Sequence, residues 1–149
     1  MASELLNQLN EEIKSAMKAK ESAKVMALRT LLAAVKDQTV NAGVEPSDEI
    51  FVTVVSKAIK QRQDAIEQFK AASRDDLVAQ EQAQIDLYRV YQPKQLERAE
   101  IEAIVKQAIA ESGATTKKEM GKVMGLVVPQ TKGKADGKLV NQVVQSLLV

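Results

Sequence analysis

The most informative part of this chain reads GKVMGLVVPQTKGKADGKLV, from Gly121 to Val140. It lies within a segment, Gly113–Lys138, that holds five of the six glycines and six closely spaced lysines. Clustered lysines create a local positive field, which only Glu119 and Asp136 oppose here. The sequence therefore predicts a surface that attracts polyanions, and the candidate nucleic-acid-binding residues are Lys117, Lys118, Lys122, Lys132, Lys134 and Lys138.

The occurrence of glycine in this stretch has two possible explanations. A glycine allows left-handed backbone dihedrals and lets another backbone come close. Either the sixth helix packs closely against the seventh, or the backbone of a nucleic acid approaches closely. The segment is not a phosphate-binding P-loop, because its glycines are too close together and Leu139 replaces the hydroxyl that binds magnesium. The candidate positions for close approach are Gly121, Gly125, Gly133 and Gly137.

Charge is distributed unevenly along the chain. Residues 114–149 carry six lysines and two acids, a net charge of +4, whereas residues 1–113 carry fifteen basic and eighteen acidic groups, a net charge of −3. We therefore expect a polyanion to prefer the C-terminal part. With only two Phe, two Tyr and no Trp, there is no aromatic platform for stacking unpaired bases. If the polyanion is an RNA, we therefore expect the protein to recognise its folded shape.

Composition excludes several kinds of chemistry. The chain has no cysteine and no histidine, which removes the usual zinc sites, Ser-His-Asp triads and Cys-His dyads. No pair of carboxylates stands out as an acid and base. We predict no catalytic residue, no metal and no cofactor. No apolar run approaches the ~20 residues that span a bilayer, so we expect no membrane partner and a cytoplasmic protein.

Apolar residues recur at intervals of three and four throughout, and no segment alternates with the period of a strand. The sequence predicts an all-α protein of seven helices. Pro93-Lys94 is the predicted boundary between a four-helix bundle-like domain, 1–93, and a small three-helix tail domain, 94–149. Helix starts are predicted at Ser3, Ser22, Ser47, Ser73, Thr116 and Asp136, and helix ends at Gly43, Gly113 and near Pro93 and Pro129.

Arg62 occupies a row of the third helix that is otherwise apolar, and a guanidinium is rarely buried without a partner. One interpretation is a structural residue, either paired with Glu81 on the fourth helix or packed by its aliphatic stem. The other is an anion site made of Arg29, Lys60 and Arg62.

Three further motifs precede the glycine-lysine tail in order: RTLLAAVK from Arg29, KAIKQRQDAI from Lys57 and IDLYRVYQPKQL from Ile85. Together with the tail they resemble the GatB/YqeY family over nearly the whole chain. The chain looks like a stand-alone YqeY-like protein, similar at its C-terminus to the tail domain of the GatB component of the tRNA-dependent amidotransferases.

The resemblance implies an accessory protein that binds tRNA or another structured RNA. The family is associated with a carbon-nitrogen ligase activity that uses glutamine as amido-N-donor, but in the amidotransferase the chemistry resides outside the tail. We therefore expect no catalysis by this chain alone. The alternative is a helical adaptor that docks a translation or RNA-processing enzyme.

Overall fold

The structure, a computed structural model, describes residues 3–148. Within them all regular structure is helical, which confirms the all-α prediction. The helices are α1 (Glu4–Lys18), α2 (Ser22–Ala42), α3 (Asp48–Ala71), α4 (Asp75–Arg89), α5 (Arg98–Ser112), α6 (Met120–Thr131) and α7 (Gly137–Leu147), with a 3₁₀ turn at Lys117–Glu119.

The chain forms two compact units that divide between Gln92 and Pro93. In the first unit, α1 to α4 pack against their neighbours in sequence, and α1 also touches α3 while α2 touches α4. Each helix of this unit thus packs against the next one in the chain. In the second unit, α5 packs against both α6 and α7. That each unit folds as an independent domain stays a prediction.

Each unit has its own apolar core. The largest fully buried side chains of the first are Tyr88, Phe51 and Leu9. Phe51 and Tyr91 pack with ring centroids 5.6 Å apart and a tilt of 58°, an arrangement that aromatic pairs favour. The core of the second contains no aromatic ring and consists of Ile101, Val105, Ala108, Ala114, Val123, Val127, Val140, Val143, Val144 and Leu148.

Several predicted helix ends are confirmed by their hydrogen bonds. The side chains of Ser3, Ser47 and Asp136 accept hydrogen bonds from the first-turn amides of α1, α3 and α7. Gly43 and Gly113 follow α2 and α5 with φ of 66° and 71°, the left-handed conformation that glycine adopts most readily.

Three predicted start signals are wrong. The residue that precedes α2 is Glu21 rather than Ser22, and its side chain makes no capping bond. Arg74 rather than Ser73 precedes α4, and Ser73 takes φ of 57° in the turn before it. Thr116 makes no side-chain cap; the Glu119 carboxylate instead accepts from the Thr115 amide at 3.2 Å.

Helix α6 ends at Thr131, near Pro129 as predicted, and Pro129 itself lies inside the helix. A proline in a helix deprives the carbonyl four residues earlier of its hydrogen bond. That carbonyl belongs to Gly125, which is exposed, so water can satisfy it and the helix tolerates the proline.

Tyr91 makes the stability of the first unit sensitive to alkaline pH. Burial, followed by the nearby charge of Glu12, raises the pKa of Tyr91 to about 12, whereas a tyrosine in an unfolded chain titrates near 10. The unfolded state therefore loses its proton first. The stability due to the neutral phenol is complete below about pH 10 and is lost as the pH rises toward about 12.

We expect Tyr91→Phe to reduce this alkaline loss, because phenylalanine keeps the ring but has no proton to lose. Urea unfolding of both proteins at about pH 8 and about pH 11 measures the difference. Equal losses of unfolding free energy in the two proteins would contradict the role assigned to Tyr91.

Candidate nucleic-acid interface

The six candidate lysines are all exposed. Lys117 and Lys118 lie in the 3₁₀ turn before α6, and Lys122 lies in the first turn of α6. The other three lie at the far end of this helix: Lys132 directly follows it, Lys134 lies in the connection, and Lys138 is in the first turn of α7. The twelve residues of α6 extend about 18 Å, and the lysines form two groups near the opposite ends of this helix.

The backbone that carries the second group is held in place by hydrogen bonds within the second unit. The Leu96 amide donates to the Lys134 carbonyl at 2.8 Å, and the Gln95 side-chain amide donates to the Gly133 carbonyl at 3.0 Å. Gly133 itself has φ of 77°. The connection from α6 to α7 is therefore a fixed turn that requires glycine, and it presents Lys132 and Lys134 from a defined backbone.

At Gly121 and Gly125, by contrast, the described part of the chain shows no turn or close contact that requires glycine. Both are exposed, and a Cβ atom added to either one meets no atom of another part of the described chain within 4 Å. The buried side of α6 consists instead of Val123, Val127 and Thr131. The interpretation that these two glycines serve close packing against α7 is therefore wrong.

Near the two glycines, Leu126 and Val128 are exposed by 37% and 44%. Because glycine has no side chain, the surface of this part of α6 projects little from the backbone. It is partly apolar and lies toward the middle of the helix. Gly137, the first residue of α7, likewise meets nothing within 4 Å when a Cβ is added.

The two acids of the segment accept hydrogen bonds from backbone amides. Glu119 accepts from Thr115, and Asp136 accepts from the Lys138 amide at 3.0 Å. Both carboxylates therefore stabilise the turns that precede α6 and α7, and this accounts for acids in an otherwise basic stretch.

In the first unit, Arg62 is held by neutral groups. Its Nε donates to Gln84 Oε1 at 2.7 Å, Nη1 to the Ala58 carbonyl at 3.0 Å and Nη2 to the Tyr88 hydroxyl at 3.3 Å. The guanidinium also lies 4.7 Å from the centroid of the Tyr88 ring. Among the described residues, the predicted partner Glu81 is not one of its hydrogen-bond partners, so that pairing is corrected to Gln84 and Tyr88.

Glu81 nevertheless acts on the same cluster. Burial raises the pKa of Tyr88, Arg62 opposes the rise, and the charge of Glu81 adds to it. Tyr88 is fully buried and donates its hydroxyl proton to the Ala27 carbonyl at 2.6 Å. This bond, which joins α4 to α2 across 61 positions of sequence, was not predicted, because no local signal marks a carbonyl acceptor.

The other two members of the candidate anion site are exposed. Arg29 Nη2 lies 3.5 Å from the Met17 sulfur on α1, and Lys60 lies on the surface of α3. An anion site of Arg29, Lys60 and Arg62 stays a prediction, while the contacts of Arg62 are those of a structural residue.

We expect Arg62→Met to destabilise the protein by about 1–3 kcal/mol, since it keeps the aliphatic stem but removes three hydrogen bonds of a charged donor. Denaturant unfolding measures the loss. As a matched control, the exposed Arg89→Met on α4 should change stability little. If Arg62→Met kept full stability but abolished binding of an anion, the structural assignment would be wrong.

The described residues contain no group of three His, Cys, Asp or Glu side chains arranged to hold a metal ion. A mostly apolar groove of about 700 Å³ runs between α2 and α4 and is lined by Ala23, Lys24, Met26, Ala27, Thr30, Gln80, Ala83, Gln84 and Leu87. None of the helices that the structure describes is long and apolar enough to cross a membrane.

The fold and site define a helical protein of two units whose C-terminal unit bears exposed lysines. Residues 6–148 match the family described as Yqey-like protein, and the chain belongs to this family. The family resemblance predicted from the motifs is therefore confirmed.

Relatives carry the name "Altered inheritance of mitochondria protein 41, mitochondrial". The one from Pyrenophora tritici-repentis is 31% identical over 147 residues, which cover 97% of this chain and 81% of the relative. The one from Saccharomyces cerevisiae is 39% identical over 84 residues, 56% of this chain and 45% of the relative. The one from Eremothecium gossypii is 34% identical over 87 residues, 58% and 48% of the two chains. The matches thus span about half the length of these two yeast proteins.

The expectation of a cytoplasmic protein is wrong by this comparison. The relatives that match are named as mitochondrial proteins. The expectation rested on the absence of apolar targeting and membrane segments, and composition does not determine the compartment of a helical protein.

Proposed function

We propose that this chain is an accessory RNA-binding protein that uses the C-terminal unit to bind folded RNA, with tRNA as the first candidate. The observation that supports this most is the exposure of all six lysines, in two groups at the ends of α6. Lysines that neutralise phosphates release counterions, so such binding falls steeply with salt.

The shape of the surface agrees with a folded target. The chain offers no aromatic residue between Gly113 and Val149, so bases cannot stack there. Two lysine groups near the opposite ends of a helix about 18 Å long suit phosphates on the outside of a helical RNA. In this proposal the chain contributes binding, and any amide transfer belongs to a partner.

The first test removes the second lysine group. Lys132→Ala, Lys134→Ala and Lys138→Ala together should weaken binding to total tRNA about tenfold or more at low salt and reduce the salt slope by about 2–3, since three phosphate contacts are lost. Mobility shifts at several salt concentrations measure both quantities.

The matched control replaces three exposed lysines of the first unit, Lys18, Lys57 and Lys70, by alanine. The total charge changes equally, so a difference between the two triple variants isolates the position of the lysines. Equal loss in both variants would indicate a general charge effect and would remove the C-terminal unit from the proposal.

The second test concerns the glycine surface. Gly121→Ala and Gly125→Ala should each stabilise the protein by roughly 0.5–1 kcal/mol, because alanine favours a helix and its methyl group meets nothing. If RNA lies close to α6, the same methyl groups should weaken RNA binding. Thermal unfolding and mobility shifts measure the two effects, and unchanged RNA affinity would exclude close approach at these glycines.

The groove between α2 and α4 favours a second candidate function, that of a protein adaptor. Its walls are mostly apolar, and Met26 on its rim is 71% exposed, a flexible residue suited to binding surfaces. An adaptor should retain one protein partner after nuclease treatment and lose it when Ala83 in the groove is replaced by Arg. If the Arg variant still retained the protein partner, the groove would be excluded as the binding site.

A further inference from the structure

The outer face of α2 carries apolar residues that the bundle leaves uncovered. The inner face of this helix buries Ala27, Leu28, Leu31, Val35 and Thr39. On the other side, Met26 is 71% and Val40 is 77% exposed, and the exposed Ala33 lies midway between them. Residues seven apart lie on the same side of a helix two turns away, so Met26, Ala33 and Val40 form one stripe. A row of exposed apolar residues on one side of a helix is typical of a protein contact surface.

On the ridge of α2 that passes through Ala33, two opposite charges lie at equal distances from this residue. Arg29 lies four residues before Ala33 and Asp37 lies four residues after it, and both side chains are exposed. Residues four apart form the ridges that commonly interdigitate when two helices pack. Arg29, Ala33 and Asp37 therefore make one ridge with a cation at one end, a methyl group in the middle and an anion at the other end.

Two copies of this ridge are complementary to each other in charge. When two copies are related by a two-fold axis, a residue before the central position in one copy lies opposite the residue equally far after it in the other. Two antiparallel ridges centred on Ala33 place Arg29 of each copy opposite Asp37 of its partner, while Ala33 meets Ala33. The small central residue allows the helices to approach closely, and Met26 and Val40 extend the apolar contact on either side.

We propose that the outer face of α2 is a homodimer interface with its two-fold axis at Ala33. The occupant is a second copy because the charge pattern matches itself, which an interface with a different protein does not require. The proposal concerns the first unit and does not depend on RNA binding by the C-terminal lysines.

The first experiment measures the oligomeric state of the full chain by sedimentation equilibrium over a wide range of concentrations. The wild type should dimerise, and Ala33→Arg should raise the dimer dissociation constant about a hundredfold or more, because it places two cations face to face at the axis. The control is Gln38→Arg, which adds the same side chain at an exposed position of α2 off this ridge. A monomeric wild type, or an Ala33→Arg variant that dimerises normally, would overturn the proposal.

The second experiment tests the ion pairs. Arg29→Asp alone and Asp37→Arg alone each place like charges opposite one another and should weaken the dimer about tenfold or more. The double exchange, R29D with D37R, restores opposite charges and should recover most of the affinity. If the double variant is as weak as the two losses added together, Arg29 and Asp37 do not face each other.

The third experiment does not depend on how well a charged variant folds. The chain contains no cysteine, so Ala33→Cys introduces a single thiol at the proposed axis, and mild oxidation should join two copies through Cys at this position in high yield. Gln38→Cys under the same oxidant should remain mostly uncrosslinked. Equal yields from both variants would mean random collision and would refute the axis at Ala33.

Discussion

The first unit depends on the hydrogen bonds of the Tyr88 hydroxyl. This hydroxyl donates to the Ala27 carbonyl of α2 and accepts from Arg62 of α3, while its own ring is fully buried in α4. Three helices are thus joined at one oxygen atom. Because a buried hydroxyl without partners is costly, this geometry selects one rotation of each helix. The same rotation leaves Met26, Ala33 and Val40 of α2 on the outside and opens the groove beside α4.

The second unit uses a different means to order its surface. Its core is aliphatic throughout, and the basic connection from α6 to α7 is held by two hydrogen bonds from Gln95 and Leu96. In the proposed RNA complex, a connection fixed in this way would avoid the full entropic cost of ordering a flexible loop on binding. The acids Glu119 and Asp136 contribute by holding the turns that precede the two helices.

The glycines of the chain have different structural explanations. Gly43, Gly113 and Gly133 have positive φ and are explained by the turns they make. Gly121 and Gly125 lie in a helix, where glycine is unfavourable, and a Cβ added at either position meets no neighbouring group among residues 3–148. A residue that costs stability and gains no internal contact suggests a requirement from outside the chain. The proposal of RNA approach along α6 gives that requirement a physical form.

The sequence by itself determined the helical class, the helix caps at Ser47 and Asp136, the turns at Gly43 and Gly113, the family, and the absence of histidine and cysteine chemistry. These features are local, because periodicity, capping and backbone dihedrals depend on residues within one or two turns. It did not determine that Arg62 bonds to Gln84 and Tyr88 rather than to Glu81, nor that α6 continues through Pro129. Only the tertiary structure decided these, because the partner of a side chain depends on how neighbouring helices rotate against each other, and the tolerance of a proline depends on whether water reaches the carbonyl that it leaves unpaired.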